Sequence, residues 1–416
     1  MKFPLPPNTF PALNLTPDDS AALQGVADFF VQDTIKQYYE HIEVDGGVVD
    51  MKRWKKIKQR EDVRVYRERS AMAVPQADDI GHNGDAPIKG VSQTMPLMLT
   101  VGTIQGNLDD VMYGALNPTT DAMKLKSAYV EDGFCDWAVL ASIIKPTPDD
   151  PFRELSIKWT IKRHPFLVAT VLRTRDTVYI ESIGVTTSPN KGERIGYHLQ
   201  HSIELPEIRE LIDLNIVRAK ISFCHLFRQR KENVVEVFVR GLICPMGDAP
   251  ASLAALTSAE VSVSLWKNVQ CAQMKKLAWL TRTDRSSSTA TQSQSSGCGV
   301  CTRSLKPTGL SRMKSSSGKD TTCRICLDRL CSKCSVTHTM YFTTKYSDEV
   351  MQRKATFCIS CIQRANQLPA AHIATSDILD PDMSFSDFSI ISNRLSKDSN
   401  SSLVSTEQSL YGSQMH

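Results

Sequence analysis

Eight cysteines in four Cys-x-x-Cys pairs towards the C-terminus constrain this chain more than any other feature: Cys298/Cys301, Cys323/Cys326, Cys331/Cys334 and Cys358/Cys361. A two-residue gap lets both sulfurs of a pair approach one ion, as the tetrahedral geometry of zinc requires. Eight thiolates supply two four-coordinate zinc sites with no ligand left over. Such sites are structural, because a fully thiolate-coordinated zinc keeps no open position for water or substrate. The competing use of paired cysteines, a disulfide framework, needs an oxidising compartment. The opening Met1-Lys2-Phe3-Pro4-Leu5-Pro6-Pro7 has no apolar core of a secretory signal. No run approaches about 18 consecutive apolar residues, the length that marks a membrane span. A reducing, cytoplasmic location is therefore expected. The four scattered cysteines, Cys135, Cys224, Cys244 and Cys271, each lie in an apolar segment and read as small buried hydrophobes.

The net charge of +4 over 416 residues becomes informative once divided along the chain. Residues 1–280 carry 33 Lys and Arg against 34 Asp and Glu, whereas 298–361 carry 11 against 4. Two dications and eight thiolates offset part of that excess, leaving about +3 on a small unit. Residues 370–416 reverse the sign, with 2 basic against 6 acidic residues. The cysteine-rich unit is thus the basic part, suited to phosphoinositide headgroups or a partner's acidic face.

Composition divides the chain into an N-terminal extension, 1–17, a large domain, 18–280, a Ser/Thr/Gln linker, 281–297, the finger, 298–366, and an acidic, Ser-rich tail, 367–416, expected to be disordered. Thr16-Pro17-Asp18-Asp19 reads as a helix start, with a hydroxyl cap, proline at the first helical position and acids at the positive end of the dipole. That helix runs towards Tyr39, with Leu23, Val26, Phe30 and Ile35 available for one face. Strand-like periods follow at 63–67 and 98–104, then a short helix near Asn107-Leu108-Asp109-Asp110. Seven further strands are expected, at 137–144, 154–161, 166–172, 177–186, 196–204, 217–226 and 234–243. Close spacing leaves little room for crossover helices and argues for an antiparallel meander. Residues 252–280 read as one amphipathic helix presenting Val261, Leu265, Val269 and Ala272. The expected fold class is α+β.

No GxSxG, P-loop, GxGxxG or HExxH occurs, and His41, His82, His164, His198, His201 and His225 are dispersed without an evident carboxylate partner. The chain is therefore expected not to be an enzyme. Trp54, then Val63-Arg64-Val65-Tyr66-Arg67, then Val101-Gly102-Thr103-Ile104-Gln105-Gly106-Asn107-Leu108-Asp109-Asp110-Val111 resemble the opening of a START domain, and the order of elements over 18–280 is similar to that lipid-transfer superfamily. The resemblance implies a helix-grip fold, an antiparallel sheet curled around a long C-terminal helix, with an apolar cavity for a lipid or sterol. Leu265, Val269 and their neighbours would then line or close it.

The finger's spacing, C-x2-C, a loop, C-x2-C-x4-C-x2-C, a second loop and C-x2-C, is similar to FYVE-type fingers. RING fingers typically place two residues between the second and third pairs, and PHD fingers usually use a histidine ligand. The FYVE resemblance implies a cross-brace, with Cys298, Cys301, Cys331 and Cys334 on one zinc and Cys323, Cys326, Cys358 and Cys361 on the other. In that family a basic motif around the third cysteine grips phosphatidylinositol 3-phosphate. Here it reads Lys319-Asp320-Thr321-Thr322-Cys323-Arg324, so Lys319 and Arg324 remain as headgroup candidates and both histidines are missing. Leu310 and Met313 are candidates for a membrane-dipping tip.

Taken together, these features describe a lipid-binding domain flexibly tethered to a zinc finger that docks on phosphoinositide membrane, peripherally on endosomes, or on a protein partner. The alternatives are a protein-interaction adaptor with a degenerate finger and a RING-like ubiquitin ligase. Few aromatics in the finger (Tyr341, Phe342, Tyr346 and Phe357) argue against nucleic-acid binding.

Overall fold

The computed structural model describes residues 3–6, 9–69, 97–162, 173–188, 191–247, 251–287, 297–305, 321–344 and 347–380. Helix α1 (Pro17–Glu43) starts where the sequence places it. The Thr16 hydroxyl accepts from the Asp19 amide at 3.1 Å, and the Asp19 carboxylate accepts from the Thr16 amide at 3.0 Å. Its buried stripe, Ala27, Val31, Thr34, Ile35 and Tyr38, is rotated from the expected face, so Val26 lies partly exposed.

Strands β1 (Trp54–Arg60), β2 (Val63–Glu68) and β3 (Met98–Gln105) precede α2 (Leu108–Ala115) and α3 (Thr120–Val130). Then come β4 (Phe134–Ile144), β5 (Glu154–Lys162), β6 (Arg175–Thr187), β7 (Arg194–Ser202), the short β8 (Val217–Arg218), β9 (Lys220–Lys231) and β10 (Val234–Cys244). They form one sheet in the order β1-β2-β3-β10-β9-β7-β6-β5-β4, every neighbour antiparallel, with β8 parallel to β6. Helices α2 and α3 carry the chain from β3 to the far edge at β4. The expected strand 166–172 lies outside the described residues.

The sheet is covered on both faces, which is why β5 is buried at eight consecutive positions rather than at every second one. On one face Val31, Ile35 and Tyr38 of α1 pack with Leu155, Ile157, Trp159, Ile180, Leu199 and Leu226. On the other, Val111 and Met112 of α2 pack with Ile183, Phe227 and Val237.

The expected single helix over 252–280 is instead two, α4 (Ala251–Ser262) and α5 (Lys267–Ser287), separated by a turn. Ser264 breaks the register: its hydroxyl donates to the Glu260 carbonyl at 2.9 Å, and its amide bonds the Val261 carbonyl three residues back. Val261 is therefore partly exposed, while Leu265, Val269 and Ala272 are buried against Val63, Ile104 and Phe227. Helices α2 and α5 meet so closely that a Cβ on Gly114 would stand 1.8 Å from the Asn268 carbonyl oxygen.

Two expectations for the C-terminal part need correction. Helix α5 continues through Ser287, so the first residues of the expected linker are helical; 288–296 lie outside the described residues. Residues 370–379 form α7 (Ala370–Leu379), whose Ala370, Ile373 and Ala374 are buried in the α2–α5 core. Helical spacing of small and apolar residues prevailed there over the polar composition of the rest of the tail.

Candidate functional site

The finger consists of the ribbons β11 (Thr321–Thr322) with β12 (Arg329–Leu330) and β13 (Ser335–Thr344) with β14 (Ser347–Cys358), followed by α6 (Ile359–Gln367). Its cysteines gather in two groups, Cys298, Cys301, Cys331 and Cys334, and Cys323, Cys326, Cys358 and Cys361, with the sulfurs of each group within 4.8 Å of one another. First pair joins third and second joins fourth, the interlocked order of a cross-brace.

Three observations fit a resident metal. Four sulfurs about 2.3 Å from a central ion stand about 3.8 Å apart; Cys301 and Cys331 are 3.6 Å apart and Cys326 and Cys358 3.9 Å. Those separations are far beyond a disulfide's roughly 2.05 Å, and all twelve cysteines are free thiols. Lastly, backbone amides donate to the sulfurs, Cys358 to Cys323 and Cys361 to Cys358, both at 3.3 Å, which favours thiolates. The thiols of Cys326 and Cys361 hold Cys323 far below the usual thiol range through their hydrogen bonds.

Local sequence makes these turns. Thr302 and Leu327, each directly after the second cysteine of a pair, take left-handed φ of 57° and 63°. Their amides bond back to the Cys298 and Cys323 carbonyls at 2.9 and 3.1 Å. Cys358 is the N-cap of α6, placing its sulfur at the positive end of the helix dipole.

The finger does not stand apart from the large domain, as the expected flexible tether would have it. Met274, Leu277 and Leu280 of α5 share one apolar cluster with Cys298, Leu330, Phe342 and Phe357. Lys276 donates to the Asn366 carbonyl at 3.3 Å, and Arg364 of α6 pairs with Asp284 of α5. Further along α5 than Val269, the apolar side chains of Met274, Leu277 and Leu280 need cover as well, and the finger supplies it.

Of the headgroup candidates, Arg324 is half-buried, and its amide donates to the Thr356 carbonyl at 2.9 Å. Lys319, Leu310 and Met313 lie outside the described residues.

A second constellation went unnoticed in the sequence. On the sheet face beneath α2, α3 and α5, Lys158 of β5 is fully buried between Glu154, at 2.6 Å, and Glu181 of β6. It also donates to the Asn117 carbonyl at 2.8 Å. His198 of β7 meets Glu181 at 2.7 Å and stacks on His225 of β9 at 5.3 Å between centroids. Burial opposes the charge on Lys158, yet Glu154 and Glu181 raise its pKa. Burial holds His198 below its usual value and His225 down at about 3. One oxygen of Glu154, Oε2, has no hydrogen-bond partner. Polar residues at alternate positions of one strand, Glu154-Ser156-Lys158, with opposite charges four apart, were the available signal.

No family profile and no curated protein matches the chain. Among solved structures it is similar to human STARD10, at 12% identity and a TM-score of 0.38, over 65% of this chain and 84% of that one. Human StAR-related lipid transfer protein 5 gives 13% identity and 0.39, over 60% and 97%. A StAR-related lipid transfer protein fragment from Xanthomonas axonopodis gives 15% and 0.33, over 52% and 96%. The architecture rests on this chain's own strand order and helix packing.

Proposed function

We propose that this chain is a non-enzymatic lipid-binding protein whose large domain holds a lipid or sterol between the sheet and α5, and whose finger carries two zinc ions. The observation that carries the reading is the placement of the Glu154–Lys158–Glu181–His198 cluster on the sheet face beneath α2 and α3, the helices on which α5 packs. Buried in that cluster, the unpartnered Glu154 oxygen is an acceptor for a lipid hydroxyl or headgroup donor.

Zinc is the metal best suited to eight thiolates in two closed tetrahedral sites, and its part is to hold the finger's loops together. The finger would direct the protein to phosphoinositide-bearing membrane, endosomal and facing the cytoplasm, or to a protein partner.

Native mass spectrometry of the full chain, before and after exposure to a mixed lipid extract, tests the reading. One lipid per chain, with binding weakened by Glu154→Gln, is the expected result. A chain that retains no lipid from any extract would end it. Vesicles with and without phosphatidylinositol 3-phosphate test the finger separately, and equal binding to both would assign it to a protein partner.

A further inference from the structure

Away from the finger, at the edge of the sheet formed by β1, the chain has a cluster of exposed apolar and basic residues. The loop after α1 turns through Gly46 and Gly47, at φ of 62° and 74°, with open space around both. It leaves Val44 79% exposed, Val48 71% and Met51 51%. Three large apolar side chains on one short loop, each more than half exposed, cost free energy in water unless something covers them. The loop is nonetheless ordered: Val48 donates to the Asp45 carbonyl at 3.0 Å, Trp54 to Asp50 at 2.9 Å, and the Arg69 side chain to the Met51 carbonyl at 3.0 Å.

Directly after it runs Lys52-Arg53-Trp54-Lys55-Lys56-Ile57-Lys58-Gln59-Arg60, six cations and no acid in nine residues. From Trp54 onward this is β1, the edge strand. Lysines on an edge strand also discourage sheet-to-sheet pairing, but that role needs no exposed valines and methionine beside them. Three of the cations are engaged, Arg53 with Glu68, Lys58 with Glu260, and Arg60 over the Trp266 ring. Lys52 and Lys55 are exposed with no ion-pair partner among the described residues.

Behind the loop is a recess of about 340 Å³, lined among others by His41, Ile42, Gly47, Arg64, Arg230 and Phe238. Its two acids are engaged: Glu236 with Arg228 at 2.9 Å and Tyr38, Asp62 with the Thr103 hydroxyl at 3.2 Å. Arg64 and Arg230 are exposed and lack an ion-pair partner among the described residues.

We propose that residues 44–64 form a docking surface for an anionic phospholipid bilayer, separate from the finger. Val44, Val48 and Met51 enter the interfacial region, the β1 cations lie along the headgroups, and Arg64 and Arg230 take a phosphate or carboxylate at the mouth of the recess. The combination of shallow apolar insertion with clustered lysines is what anionic leaflets attract.

The test is co-sedimentation of the zinc-loaded full chain with phosphatidylcholine vesicles, alone or with about 30 mol% phosphatidylserine. Phosphatidylinositol 3-phosphate is left out, so the finger's reading can fail without touching the result. The expected result is binding only with phosphatidylserine, weakened about tenfold by raising salt. The triple variant K52E/K55E/K56E and the loop variant V48D/M51D should each bind about tenfold more weakly at unchanged thermal midpoint. These positions are exposed, so both variants should fold. No binding by the parent chain, or parent-like binding by both variants, would overturn the proposal. Retention on immobilised heparin without vesicle binding would also overturn it, in favour of an acidic macromolecule.

Discussion

The phenol of Tyr129, in α3, and the backbone of Tyr341, in β13, exchange two hydrogen bonds: the Tyr341 amide donates to the phenol oxygen at 3.0 Å, and the phenol donates back to the Tyr341 carbonyl at 3.3 Å. The two rings meet edge to face with centroids 5.0 Å apart. One side chain of the large domain thus completes the polar backbone of the finger. Tyr129→Phe removes both bonds while keeping the ring contact. It should cost about 1–3 kcal/mol in urea unfolding of the full chain. Hydrogen exchange should show loss of protection at the Tyr341 amide before any change in β5 or β6.

Cys326→Ser removes one ligand from the second group, and the interlocked chain order makes the first group suffer with it. Native mass spectrometry should show the parent holding two zinc ions and the variant holding fewer. Because the finger covers Met274, Leu277 and Leu280, exchange along α5 should also rise. Zinc removal by a chelator should reproduce that rise in the parent chain.

Lys158→Met leaves Glu154 and Glu181 facing each other without a cation in a buried layer. Breaking a buried pair from one side costs about 3–5 kcal/mol, read as a lower urea midpoint. Adding Glu154→Gln and Glu181→Gln to the same chain should restore much of the loss, since the unpaired charges are then gone. If the triple variant were no better than the single one, the cost would lie in packing rather than charge.

Burial holds the His201 imidazole down at about 4. In the unfolded chain it titrates near about 6.5. Between those values the unfolded state binds the extra proton, so stability is full above about 6.5 and falls as the pH drops towards 4. The His201 share is on the order of 3 kcal/mol. His225, held lower still, adds to the same slope. Urea midpoints measured from pH 7.5 to 4.5 should show the decline, and His201→Gln should flatten part of it.

The metal centres were legible because coordination geometry fixes cysteine spacing, and spacing survives in a linear sequence. The start of α1 was legible for a similar reason, since Thr16, Pro17 and Asp19 act within four residues. Relationships that depend on strand order were not. Lys158 and Glu181 lie 23 residues apart and meet only because β5 pairs with β6, while His198 and His225 require β7 beside β9. Docking of the finger was hidden differently: α5 buries Val269 and Ala272 in the large domain and Met274, Leu277 and Leu280 against the finger, and a sequence reading assigned it a single partner. The cover of β5 on both faces likewise blurred the alternation that marks a half-exposed strand.

Helix α7 gives the large domain a peculiar history. Tyr113 of α2 donates to Asp377 at 2.7 Å, the Trp279 indole donates to Ser376 at 3.0 Å, and Ile373 is wholly buried beside them. A core begun at Val63 is therefore finished only by residues made after the entire finger. On the ribosome the sheet must wait, partly uncovered, until the last cysteine pair and α7 beyond it have followed it out, so the finger's folding falls inside that of the domain it accompanies.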